Sequence, residues 1–178
     1  MLPPTLRARI AAMRVAHLAT GHRGKPAVVP ISFALVGDRL YSAIDAKPKR
    51  VPPEQLRRVR YLRANPRAAV LVDHYEEDWR RLWFVLLEGP VRLLERGAEH
   101  GRAIAALRRK YPQYVAMPLA ADALVIALDV GEWREWRSAT SRSAAGRPLR
   151  RAVPTGPAGQ TSGSKGSRST GRRTGSRR

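Results

Sequence analysis

The first 140 residues predict a mainly β domain of the α+β class, a small barrel with helices plugging its ends, and three observations carry that prediction. Six or seven short runs rich in β-branched and aromatic residues follow one another at close spacing. Glycine-containing turns separate several of them, and two or three segments with helical apolar spacing are inserted between. Fewer than 140 residues carrying that many antiparallel strands bury them most simply by closing the sheet on itself.

The elements follow in order. Leu6, Ile10 and Met13 lie at helical spacing behind Pro3–Pro4, which predicts a short amphipathic helix over 5–14 with Thr5 as its N-cap. The runs "RVAHLAT", "PAVVPISFALV" and "RLYSAID", punctuated by "GHRGKP" and "GD", predict an antiparallel meander. In "PEQLRRVRYLRAN", Leu56, Val59 and Leu62 form one helical stripe that stops at Asn65–Pro66. "RAAVLVDHY" and "RLWFVLLEGPVRLLE" return to strand patterning, the second bending at Gly89–Pro90. A helix from about Ala98 to Lys110, a proline-interrupted loop and the strands "ALVIALDV" and "EWREWRS" complete the domain, taken as residues 5–138. Trp133 and Trp136 are three apart on a strand and so face opposite sides.

From residue 139 the composition changes. The segment 139–178 is rich in Ser, Thr, Gly, Pro and Arg with almost no large apolar residue, and it reads as a disordered basic tail. The formal charge is +20, from 34 Lys and Arg against 14 Asp and Glu. Ten of those cations and no acid lie in 141–178, so half of the excess belongs to the tail, which implies weak non-specific contact with nucleic acid.

The chain has no cysteine, which excludes disulfides, thiolate nucleophiles and Cys-based metal sites and fits a reducing cytoplasm. Arg7, Arg9 and Arg14 interrupt the N-terminus before a signal-peptide core can form. The longest apolar runs, 82–87 and 123–128, fall far short of the ~20 residues of a membrane span, so a soluble, cytoplasmic protein without a membrane partner is expected.

The usual catalytic signatures are absent: HExxH, GxSxG, GxGxxG after a strand, and the Walker loop. "GHRGKP" has Pro26 where a Walker loop needs Ser or Thr to open a helix, and reads as a hairpin turn. His17, His22, His74 and His100 lack metal-ligand spacing, and "DHYEED" at 73–78 reads as a solvated loop, so no metal site is expected. No catalytic residue is assigned. An enzyme of this composition leaves the hard chemistry to a cofactor.

The strongest local signal is electrostatic. Between Lys47 and Arg63 stand seven cations and one acid, Glu54. Lys47, Lys49 and Arg50 crowd three charges into four residues beside Pro48, and such crowding favours a shared anion. Taken alone, the arginines of the following helix are an ordinary solvated face.

"VVPISFALVGDRLYSAID" followed by "KPKR…LRRVRYLRANPRAAVLVDHYEEDWRRLWFVLLEGPVRLL" resembles the pyridoxamine 5′-phosphate oxidase-like split β-barrel superfamily, the FMN-binding fold. The order P-I-S-F, D-x-K-P-K, N-P-R, V-D-H-Y-x-x-D-W-x-x-L-W and W-R-E-W is similar to its actinobacterial branch that uses the deazaflavin coenzyme F420, over residues 5 to about 138. The resemblance implies a homodimer that binds the cofactor in a groove between subunits and passes a hydride between deazaflavin C5 and a small-molecule substrate. It implies that Val29, Pro30, Ile31 and Ser32 line the ring, that Lys47, Lys49 and Arg50 hold the phosphate, and that Arg57, Arg58 or Arg60 reach the same group or the acidic tail. Trp79 and Trp83 would wall the slot, although Trp83 lies in an apolar run that also suits the core.

Three functions stay open at this point: an F420-dependent oxidoreductase, the same barrel with FMN, and a non-catalytic binder of flavin, deazaflavin or haem. The substrate leaves no mark in the sequence.

Overall fold

The computed structural model describes residues 1–45 and 51–138; the segment 46–50, which holds Lys47, Lys49 and Arg50, and the tail 139–178 lie outside the described residues. Helix α1 (Pro4–Ala12) begins one residue earlier than expected. Pro3 occupies the N-cap and no side chain caps it, so Thr5 does not serve that role. A proline at the first helical position has no N–H to leave unpaired. Leu6 and Ile10, one turn apart, are buried.

Strands β1 (Ala16–His22) and β2 (Lys25–Ile31) form a hairpin closed by Arg23 and Gly24, whose φ values of 49° and 71° are the two left-handed residues of a type I′ turn. The expected meander then fails. The run 26–36 is not one strand: it breaks at Ser32–Phe33, and β3 (Ala34–Val36) pairs with β4 (Arg39–Ala43) instead of β2. Phe33 explains the break, because its fully buried ring turns into the core and takes the chain out of the ladder.

The helical stripe at Leu56, Val59 and Leu62 forms a 3₁₀ turn, Pro53–Gln55, and then α2 (Arg57–Ala64), which buries Val59 and Leu62. The remaining elements are β5 (Arg67–His74), β6 (Trp83–Leu94), α3 (Ala98–Lys110), α4 (Gln113–Ala116), β7 (Val125–Asp129) and β8 (Glu132–Arg137). The short helix α4 replaces part of the expected loop.

All strand pairs are antiparallel, in the order β2-β1-β5-β6-β7-β4-β3, with β8 on β6. Strand β6 holds two halves together. Its residues 83–90 pair with β5, its residues 83–88 also take β8, and its residues 91–94 pair with β7. The change of partner falls at Gly89–Pro90, where the sequence predicts a bend. One core cluster lies within the sheet, where Leu6 and Ile10 meet Leu18, Phe33, Val59, Val70, Val85 and Leu87. A second packs α3 and α4 against β3, β4 and β7 through Ala103, Leu107, Tyr111, Tyr114 and Tyr41.

The register sorts β2, β1, β5, β6 and β8 into two faces, since directly opposed residues point the same way. Val29, Leu18, Val70, Leu87 and Trp133 form an inward row. Pro30, His17, Leu71, Leu86 and Arg134 form an outward row, beside Asp73, Phe84 and Trp136. Trp133 and Trp136 thus face opposite sides, as their spacing predicts: Trp133 packs on the core, and Trp136 is exposed and stacks on Phe84 at 5.8 Å.

Candidate functional site

Strand β2 ends the sheet order and pairs only with β1 among the described residues, so one backbone edge is open. The four residues expected to line a ring divide between its two faces. Val29 and Ile31 point to the core, and Pro30 points outward with the exposed Val28. Ser32 lies half-buried just past the strand. What β2 offers a planar ligand is therefore its free edge, its outward side at Pro30 and the hydroxyl of Ser32.

A polar cluster meets this end of β2. The Tyr114 hydroxyl of α4 lies beside the side chains of Ser32 and Asp45. Burial and then the charge of Asp45 raise the Tyr114 hydroxyl above its ordinary value, so it keeps its proton. Arg58, in the first turn of α2, also feels Asp45 and is half-buried. Its burial lowers its pKa, and its Nε is buried without a hydrogen-bond partner among the described residues. A desolvated guanidinium with an unused donor suits an anion with oxygen acceptors. Asp45 immediately precedes in sequence the segment 46–50, which holds Lys47, Lys49 and Arg50.

The other expected residues are placed less centrally. Arg57 and Arg60 on α2 are exposed, which suits a solvated face or contact with a ligand reaching out of the protein. Trp79 is 67% exposed on a 3₁₀ turn (Trp79–Arg81) between β5 and β6, N-capped by Asp78, which accepts a hydrogen bond from the Arg80 amide. The register puts this connection at the Ile31 end of β2, because Ile31 faces Ala16, His17 faces Leu71, and His74 faces Trp83. Trp83 is engaged elsewhere: it packs on the core, stacks on His74 at 6.4 Å and carries the Arg9 guanidinium at 4.6 Å, so it walls no slot within this chain.

Sequence reasoning singled out neither Asp45 nor Tyr114. Their only local signals are an acid at the end of a strand just before a cationic run, and a tyrosine in "YPQY" after a helix. Tyr111 of the same motif accepts a hydrogen bond from the Phe33 amide at 2.8 Å, at the β2 exit. Among the described residues no three His, Asp or Glu side chains gather as a metal site, and no helix is long and apolar enough to cross a membrane.

The family profile described as pyridoxamine 5′-phosphate oxidase matches residues 2–137. No curated protein matches the chain. Among solved structures, a conserved hypothetical protein of Mycobacterium tuberculosis superimposes with a TM-score of 0.60 at 18% identity, over 82% of this chain and 93% of that one. A FAD-binding protein of Mesorhizobium loti gives 0.55 at 22% identity, over 75% of this chain and 94% of that one. The haem storage protein HutZ of Vibrio cholerae gives 0.59 at 16% identity, over 76% of this chain and 94% of that one. These likenesses show a shared fold, mainly β with short helices, and the profile spans all the described strands: the chain belongs to the pyridoxamine 5′-phosphate oxidase family.

Proposed function

We propose that two copies of this chain bind coenzyme F420 between them and act as an oxidoreductase on a small organic substrate. The cofactor, when bound, supplies hydride chemistry at its deazaflavin C5. The protein's own residues position it and exclude water. The observation that carries the reading is the half-buried Arg58, whose Nε has no partner among the described residues, placed beside Asp45 where the cationic segment 46–50 begins, at the open end of β2. A phosphodiester satisfies the arginine. Lys47, Lys49 and Arg50 add charge for the phosphate, and the exposed Arg57 and Arg60 suit the solvent-reaching carboxylates of the oligoglutamate tail. Pro30 and Ser32 border the ring, and Trp79 closes the same end of the sheet.

The pairing of two copies draws support from the outward rows of the sheet. Leu71, Leu86, Phe84 and Trp136 lie on one face with Pro30 and Val28, and Val28, Phe84 and Trp136 are exposed there. A second copy covering that face would also complete a groove along the β2 edge.

FMN is the second reading, supported by the FAD-binding relative that shares this fold. A non-catalytic binder of flavin, deazaflavin or haem is the third, supported by the haem storage relative. Titration of F420, FMN, haem and the uncharged riboflavin-level deazaflavin ranks them. For F420, Arg58→Gln and Lys49→Glu should each weaken the charged cofactor by about tenfold or more while the uncharged ring is little affected. Tight FMN or haem without F420 uptake would reverse the ranking, and equal losses for both deazaflavins would return the cations to a structural role.

A further inference from the structure

The outward side of the β1–β2 hairpin carries an ionisable group directly beside Pro30. In the ladder Pro30 pairs with His17 and Val28 with Ala19, and these four side chains share the outward face. Pro30, Val28 and Ala19 are small or apolar, so His17 is the polar member of an otherwise flat patch. Past Ala19 the same face sinks into a hollow of about 260 Å³, whose lining includes Gly21, Arg67, Ala69 and Glu88. A planar ring laid over β2 at Pro30 has room to extend across β1, and the first side chain it meets there is an imidazole.

That imidazole is oriented. Its Nδ1 is buried and lies 3.3 Å from Oδ1 of Asp73, which stands on β5 two residues beyond Leu71, the residue paired with His17. The contact is electrostatic, since Nδ1 makes no hydrogen bond among the described residues. A nitrogen lone pair facing a carboxylate oxygen at that distance is repelled, so Nδ1 holds a proton in either charge state of the ring. The His17 side chain is 42% exposed although Nδ1 is not, so its open part is the edge that carries Nε2. Nε2 is therefore the nitrogen that accepts a hydrogen bond when the ring is neutral, and the one at which a proton is gained or lost.

We infer that His17 is a ligand contact of this site, its Nε2 meeting an edge hydroxyl or N–H of a planar ring that lies on the outward side of β2. Asp73 is its positioning residue, acting on the ligand only through the imidazole. The inference rests on the proposed binding of a deazaflavin or flavin ring at β2. It gives the ring a neighbour that can take up or release a proton, where Pro30, Val28 and Ala19 supply contact area alone.

The test uses the full-length chain and diethyl pyrocarbonate, which acylates an accessible, unprotonated imidazole nitrogen, with the modified peptides mapped by mass spectrometry. His17 should be labelled in the free protein. F420 or FMN, whichever the titration favours, should slow that labelling by about tenfold when present at about ten times its Kd, through occupancy alone. His22, at the turn end of β1, should be labelled as before. The uncharged riboflavin-level deazaflavin at the same occupancy should protect His17 equally. Nitrogen-15 spectra should show neutral His17 as the Nδ1–H tautomer, and Asp73→Asn, whose amide can donate to Nδ1, should move it toward Nε2–H. Labelling of His17 that is undiminished with cofactor bound overturns the contact, as does a His17 that is already unreactive in the free protein because a second copy covers it. Protection by the charged cofactor without protection by the uncharged ring would assign His17 to the tail and overturns the ring contact, and an Nε2–H tautomer in the wild type removes the role of Asp73. All of these leave the proposed cofactor binding standing. A wild type that binds neither F420 nor FMN overturns the proposed function, and the contact falls with it.

Discussion

The ammonium nitrogen of Lys110 lies 3.7 Å from the centre of the Phe33 ring, buried and without a hydrogen-bond partner among the described residues. The two residues join the C-terminus of α3 to the break between β2 and β3, with Tyr111 as a second ring at 5.6 Å. Burial first, and the neighbouring Arg14 second, push the Lys110 amine down from 10.5 to about 8. The ring faces and the helix C-terminus act the other way and favour the charge.

The pH dependence tells which side prevails. With a folded pKa below the unfolded one, the charged amine penalises the fold fully below about 8, and the penalty is relieved as pH rises from about 8 to 10.5. Lys110→Met should therefore raise the melting temperature at pH 7, with the gain over wild type shrinking toward pH 10. If the aromatic faces outweigh burial, the substitution lowers the melting temperature at pH 7 instead.

Gly89 is needed for closeness. A β-carbon there would overlap the carbonyl oxygen of Asp129 and crowd the Gly131 amide, which itself donates to the Glu88 carbonyl at 3.0 Å. Both neighbours are backbone and cannot move aside alone. Gly89→Ala should cost upward of about 2 kcal/mol, visible as a lower midpoint in urea at unchanged slope. Gly101 supplies the control: it lies on the exposed side of α3, where an added methyl would meet nothing within 4 Å, and Gly101→Ala should be neutral or stabilising.

Trp136 and Phe84 stack on the outward face proposed for dimer contact. Trp136→Glu should reduce the mass seen by light scattering from twice that of the chain to that of a single chain, at micromolar concentration with cofactor present. A wild type that is monomeric under those conditions would remove the shared-groove proposal.

The basic segment 141–178 supports weak contact with nucleic acid that is independent of sequence and falls steeply with salt, through counterion release. Truncation after Thr140 should abolish retention on DNA at low salt and leave cofactor affinity intact. A tenfold loss of cofactor affinity would make the tail part of the site.

Much of the local structure was determined by the sequence itself. The turn at Arg23–Gly24, the stripes of α2 and α3, the opposed faces of Trp133 and Trp136 and the bend at Gly89–Pro90 follow from backbone freedom and from periods of 3.6 and 2. The family was legible in the sequence as well, since its profile runs along residues 2–137. Only the tertiary structure decided that 26–36 divides between opposite ends of the sheet, because strand propensity is satisfied by either pairing and the burial of Phe33 selects one. It also decided that Ser32, Asp45, Arg58 and Tyr114 meet. Those four come from a strand end, another strand end and two helices, and no periodicity along a chain encodes which far-separated polar groups share one buried corner; that is set by the non-local ladders that fix where β2, β4, α2 and α4 lie.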